Sequence, residues 1–165
     1  MPRAAALILG LLVAPGCRTP DPKAELALSE VEGYWAVDAP VADTQYLAPV
    51  VRFRLENKSA TSRSIEAKAA FRRDGETVMW SEAWRSVSPL DGNPLRPGQS
   101  RFVMLKPEGE GRYTYRGRVD EMFKNREFKD VTAEISIRVG PSRWTRFLDV
   151  KVERRLGSHT VDAFK

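Results

Sequence analysis

The sequence predicts an all-β fold, an antiparallel two-sheet sandwich of about seven to eight strands, on three observations. Short apolar segments alternate with polar neighbours at the two-residue period of strands, and they recur between turn signals along residues 33–156. No stretch carries the apolar spacing of a long amphipathic helix. None of the eleven prolines falls inside the segments that read as strands from Val50 onward, as ladder hydrogen bonding requires.

Residues 1–16 precede that domain. One early cation, Arg3, is followed by an apolar run from Ala4 to Val13, interrupted at Gly10, which is a signal-peptide profile. A spanning helix needs about 20 apolar residues, and this run stops at Ala14-Pro15-Gly16-Cys17. Small residues before the only cysteine of the chain resemble a bacterial lipoprotein signal. The resemblance implies cleavage before Cys17, acylation of its sulfur and amine, and, with Arg18 in place of an aspartate, the periplasmic side of the outer membrane. Pro15 departs from the pattern and leaves ordinary signal-peptidase cleavage after Gly16 as the alternative. With Cys17 acylated no disulfide forms within the chain, so stability rests on burial, and thiol chemistry and cysteine zinc sites are excluded.

Residues 17–32, with two prolines, mixed charges and scattered leucines, read as a tether between lipid and domain. Gly33 to Val37 is the first strand, ended by Pro40, and Ala39 to Pro49 is a connecting loop. Val51, Phe53 and Leu55 alternate with Arg52, Arg54 and Glu56 in the next strand, and Asn57 to Ser62 is a polar turn. The domain is organised around a hairpin from Ile65 to Trp84. A two-residue loop at Asp74-Gly75 sets Arg73 opposite Glu76, Phe71 opposite Val78 and Ala69 opposite Trp80. A proline-rich connection from Ser88 to Ser100 leads to a strand at Phe102–Leu105. Tyr113, Tyr115 and Val119 alternate with Thr114, Arg116 and Arg118, and the charged stretch Asp120–Lys129 holds one helical turn around Met122 and Phe123. Val131 to Val139 gives the cleanest alternation, Leu148 to Val152 the last strand, and residues 157–165 a loose tail.

Four stretches, Leu55-Glu56-Asn57-Lys58-Ser59, Phe71-Arg72-Arg73-Asp74-Gly75, Trp80 to Trp84 and Leu95-Arg96-Pro97-Gly98-Gln99-Ser100, resemble small bacterial envelope lipoproteins of the YcfL-like kind. The resemblance covers Val50 to Leu105. It implies an Ig-like domain in the periplasm, without established chemistry and without functional residues to carry over.

The chemistry-bearing residues point away from catalysis. His159 is the only histidine and lies in the polar tail, and no G-x-S-x-G, P-loop or G-x-G-x-x-G occurs. Asp120, Glu121, Glu127 and Asp130 lack the register of a calcium loop. No enzyme activity, cofactor or metal is therefore expected. The formal net charge of +5 is concentrated in the later strands, and in an exported chain it faces anionic envelope components rather than nucleic acid. Two candidate contacts follow. Trp84, beside the Ser88–Ser100 connection, is a candidate partner-anchoring indole. Arg116 and Arg118, on the strand face opposite the tyrosines, form a candidate basic surface. The expected function is a lipid-anchored, non-catalytic module that docks another envelope protein; the alternative is a lipoprotein that binds an anionic glycan or lipid through the basic, aromatic-bearing face.

Overall fold

The computed structural model describes residues 21–41, 44–87 and 94–157, with the side chains of residues 39–41 excepted. The segment expected to be a signal peptide, Cys17, the residues that follow it to Pro20, and the stretch beyond Gly157 with His159 lie outside the described residues. Eight strands form two antiparallel sheets, the sandwich that the alternation predicts. After a one-turn helix α1 (Pro22–Glu25), the first sheet is built from β1 (Leu26–Val41), β2 (Thr44–Asn57) and β5 (Ser100–Leu105) in that order, with β6 (Tyr113–Tyr115) also on β2. The second has the order β4 (Ser81–Ser86), β3 (Ile65–Arg73), β7 (Val131–Val139), β8 (Thr145–Val152), and a six-residue helix α2 (Val119–Lys124) precedes β7. Trp35, Leu47, Phe53, Leu55, Phe71, Ile135 and Ile137 fill the space between the sheets and are fully buried.

The first sheet is longer than expected. β1 begins at Leu26, inside the stretch read as tether, because Leu26 is buried in the core and Leu28 and Val31 pack against it. A bulge between Ser29 and Glu32, where Glu30 takes φ +49°, hides the alternation there. The expected loop from Ala39 to Pro49 is largely strand as well, running through Pro40 and Pro49. Pro49 is tolerated in a central strand because of its place in the register. The Trp35 amide and carbonyl bond to Arg155 and Gly157 on the far side of β1, so Pro49, opposite Trp35, points away from β1. On its other side Pro49 falls between Leu47, paired to β6, and Val51, paired to β5. The missing N–H lies at a gap in the ladder.

The central hairpin differs in register. Phe71 pairs with Ser81, Ala69 with Ala83 and Lys68 with Trp84, so Asp74 to Trp80 form a longer connection than the two-residue loop. The Arg73–Glu76 ion pair beside the turn is present, at 2.8 Å, and Gly75 has φ +79°. Two long-range ties displace the rest. Asp74 N donates to Asp130 O at 2.8 Å, and the Trp80 ring leaves the ladder for a cluster with Trp35 and Tyr113 at centroid distances of 6.4 and 5.0 Å. A displacement of three residues is odd, so every later side chain changes face. Ser81 and Ala83 turn inward, Trp84 turns outward, and Val78, expected opposite Phe71, is 73% exposed.

Asn57 ties together two stretches far apart in sequence. Its Nδ2 donates to Thr61 O at 2.9 Å and Leu95 O at 2.8 Å, while Oδ1 accepts from the amide and hydroxyl of Ser59 at 3.0 and 2.7 Å. Its own amide donates to Gln99 O and its carbonyl accepts from Gly98 N. The polar turn and the Pro-Gly turn are thus two sides of one joint.

Beyond β8 the chain changes sheets. Glu153 N donates to Gly33 O, Trp35 N to Arg155 O and Gly157 N to Trp35 O, at 3.1, 2.9 and 3.0 Å, so residues 153–157 run parallel to β1 along its edge. Gly33 allows this approach, since a Cβ there would come within 2.5 Å of Lys151 O. Asp130 secures the same crossover by accepting from Arg154 Nε at 2.6 Å with Lys151 Nζ at 3.5 Å. Arg154 also donates to Phe123 O and Phe128 O. The Arg154 hydrogen bond is the main cause that holds the Asp130 carboxyl below its usual range, against the opposing effect of burial. A lowered native pKa means that the stabilisation is complete above the unfolded value of about 3.9 and is lost as pH falls through the native value. Asp130→Asn is therefore expected to be less stable at neutral pH, with the gap to the native chain closing as the pH falls below the unfolded carboxyl value of about 3.9 and through the lowered native one. Urea midpoints measured at a series of pH values check this; a gap independent of pH would refute it.

Candidate interaction surface

The second sheet ends on β4, whose one strand neighbour among the described residues is β3. Val87 N donates to Ile65 O, so by alternation the main-chain groups of Ser81, Ala83 and Arg85 face β3 while those of Glu82 and Trp84 face away from it. An edge of this kind is a template for another extended segment.

The side chains at the edge fit the same use. Among the described residues five large apolar side chains are exposed, and three of them, Val78 at 73%, Met79 at 45% and Trp84 at 56%, belong to β4 and the connection that leads into it. Trp84 lies on the outer face opposite Lys68. Lys68 Nζ stands 3.5 Å from Glu82 and 5.0 Å from the ring centroid of Trp144, which the Arg138 guanidinium approaches at 4.9 Å. Two indoles thus share a face with ion pairs. Arg138 pairs with Glu66, Arg72 and Arg146 with Glu134 at 3.2 and 3.4 Å, and Arg146 with Asp149.

Arg116 and Arg118 are placed differently from the strand face that the sequence suggests. β6 stops at Tyr115, Gly117 takes φ +99°, and Arg118 caps the start of α2. Both arginines are exposed, but they do not alternate on one strand with the tyrosines. Arg118 forks onto Asp120 at 3.1 and 3.3 Å, which raises the pKa of the guanidinium and lowers that of the carboxyl. Arg116 borders an open depression with Thr44, Thr114 and Tyr115. The buried Tyr115 hydroxyl has no hydrogen-bond partner, and burial raises its pKa. The basic excess of the later strands is spent largely in local pairs, such as Arg155 with Glu153 and Glu32, rather than gathered in one field.

Each carboxyl with a shifted pKa among the described residues, Glu76, Asp120 and Asp130, moves down through hydrogen bonds from Lys or Arg. That suits ion pairing, whereas a general acid at neutral pH needs a raised value. No group of three or more His, Cys, Asp or Glu side chains comes together among the described residues, and no helix among them is long and apolar enough to cross a membrane.

The exposure of Trp84 was hidden in the sequence by the register of its hairpin, and Lys68 beneath Trp144 carries no sequence signal. Comparison of the chain with protein-family models, with curated proteins and with solved structures finds no match.

Proposed function

We propose that this chain is a non-catalytic interaction module of the bacterial envelope, exported by residues 1–16, anchored through lipid on Cys17 at the periplasmic side of the outer membrane, and akin to Ig-like lipoproteins of the YcfL-like kind. It docks an extended segment of another envelope protein on the β4 edge. The observation that carries this reading is the coincidence of an edge strand with the exposed apolar side chains Val78, Met79 and Trp84 on one hairpin. The second reading, an anionic glycan or lipid as ligand, draws on the Trp84 and Trp144 indoles that share the outer face; it is less favoured because the neighbouring cations are matched by Glu66, Glu82 and Glu134.

Cross-linking in living cells, followed by mass spectrometry of the membrane fraction, tests the proposal on the native chain, Trp84→Ala and Cys17→Ser. One envelope protein is expected with the native chain and is lost in Trp84→Ala, whose thermal midpoint stays near the native value because the indole is more than half exposed. Cys17→Ser releases the chain from the membrane. Unchanged capture by Trp84→Ala, or membrane retention of Cys17→Ser, overturns the corresponding half. Retention that falls with salt in the absence of any protein partner supports the ligand reading instead.

A further inference from the structure

The cations that local pairing leaves over gather at one end of the sandwich. Main-chain bonds define that end: Lys58 N donates to Glu25 O, Gly98 N to Asn57 O, Gly140 N to Ser64 O and Val87 N to Ile65 O, at 2.8, 2.7, 2.8 and 2.8 Å. They bring together α1, the turn after β2, the connection into β5, the turn after β7 and the last residues of β4. Lys23, Lys58, Arg85, Arg96 and Arg143 lie on these segments. All are exposed, and none has an ion-pair partner among the described residues. The carboxyls beside them are mostly engaged. Glu25 pairs with Arg63 at 2.6 Å, Glu66 with Arg138, and Asp21 caps α1, which leaves Glu56 without an ion pair.

The opposite end shows no such excess among the described residues. Arg118 pairs with Asp120, Arg73 and Lys129 with Glu76, and Arg154 and Lys151 with Asp130. The exposed Lys124 and Arg126 share their segment with Glu121 and Glu127. A positive end on an otherwise balanced molecule attracts an anionic surface. The course of the chain says which surface. It enters the fold at this same end, at Asp21, so Cys17 lies within about 14 Å of Asp21 even on a fully extended backbone.

We propose that this end of the sandwich rests on anionic lipid headgroups, with Lys23, Lys58, Arg96 and Arg143 at their phosphates. The inference rests on the Cys17 anchor proposed above and adds an orientation to it: the lipid sets the distance of the domain from the bilayer, and the cations set which end faces it. Unlike the cations beside Trp84, these are not matched by glutamates. Val78 and Met79, on the connection at the opposite end, are then held away from the bilayer, where a partner reaches them.

Amine labelling read by mass spectrometry tests this on the full chain with its anchor, extracted from membranes and reconstituted on vesicles. One set is phosphatidylcholine alone and the other contains phosphatidylglycerol as well. Lys23 and Lys58 report on the contact, and Lys124, exposed at the opposite end, is the internal reference. Lys23 and Lys58 are expected to label several-fold more slowly on the anionic vesicles, Lys124 equally on both, and high salt to abolish the difference. The full chain with Lys58→Glu, Arg96→Glu and Arg143→Glu combined is expected to lose the protection of Lys23; the comparison of vesicles needs the native chain alone and decides the matter if that variant fails to fold. Equal labelling on the two vesicles overturns the proposal, as does protection of Lys124 as great as that of Lys23, or protection of Lys23 that survives in the folded triple variant. Protection by heparin without vesicles as strong as on anionic vesicles assigns the end to a glycan and overturns it too. The anchor is read separately, by retention of the native chain and Cys17→Ser on the neutral vesicles: equal retention of the two refutes the anchor, whereas equal labelling of a retained chain refutes the contact.

Discussion

Trp35→Ala is expected to cost about 3 to 5 kcal/mol of folding free energy, the range for truncating a large buried aromatic. Trp35 is fully buried, and its ring lies 5.0 Å from Phe128, 5.6 Å from Tyr113, 6.4 Å from Trp80 and 6.5 Å from Phe123. These partners come from the β3–β4 connection, from β6, from α2 and from the segment after α2, so the cavity opens where four separate parts of the chain meet. None of them is a neighbour of β1 in its sheet, and collapse around a small side chain would require all to move. The Trp35 Nε1 is buried without a hydrogen-bond partner. Trp35→Phe therefore removes an unsatisfied donor while it keeps a ring in the cluster, and its loss is expected to be well under half that of Trp35→Ala. Urea unfolding of both variants reads the difference. Near-equal losses would mean that the indole N–H, rather than the volume of the ring, decides the stability of this site.

How far the sequence could be read depended on the range of the interactions that decide each element. β7 was legible in full, because Val131, Ala133, Ile135, Ile137 and Val139 alternate without interruption and all five are buried. The helical turn at Met122 and Phe123 and the two-sheet architecture were legible too, since both follow from local periodicity and its absence. The register of β3 on β4 was not. The Asp74-Gly75 signal is local, but the tie from Asp74 to Asp130 and the packing of Trp80 against Trp35 and Tyr113 are not, and they prevail. The early part of the first sheet was hidden by Pro40, Pro49 and the bulge at Glu30, each of which breaks a pattern without ending the strand. Gly117, between Arg116 and Arg118, was an available signal that alternation stops; its φ of +99° turns the chain out of β6 and separates the two arginines from the tyrosine face.

The same distinction governs the candidate surface. Trp84 stands out in the sequence for its position beside a proline-rich connection, while a two-residue loop at Asp74-Gly75 places it on the same face as Trp80. Its outward orientation follows from a shift of three residues that only the tertiary contacts of the hairpin impose. A surface residue can be chosen correctly from sequence while its face is assigned wrongly, because composition marks the first and register the second.

Asn57→Ala is expected to cost about 3 kcal/mol, more than an ordinary polar truncation, because four hydrogen bonds of one buried side chain, two to the carbonyls of Thr61 and Leu95 and two from Ser59, are lost together. Asn57 is fully buried, and its amide spans Thr61 O and Leu95 O while its carbonyl holds Ser59. The Leu95 segment pairs with Arg63 through two reciprocal main-chain bonds of 2.8 and 2.9 Å, and Gly98 with φ +70° returns the chain to β5. Loss of the Asn57 side chain thus loosens the entry to both β3 and β5. Asn57→Asp separates the two halves of the role. A carboxylate can still accept from Ser59, but it cannot donate to the carbonyls of Thr61 and Leu95 and places a charge against them, so its pKa in the folded state is raised. A raised native pKa confers relative stability that is present at low pH and is lost as pH rises through it. Asn57→Asp is therefore expected to be at least as unstable as Asn57→Ala at pH 7 and to gain on it as the pH is lowered toward about 4. Parallel urea titrations of the two variants at both pH values decide the point: a constant difference would mean that the carbonyls of Thr61 and Leu95 do not need the amide, and that the joint rests on the main-chain bonds of Asn57 alone.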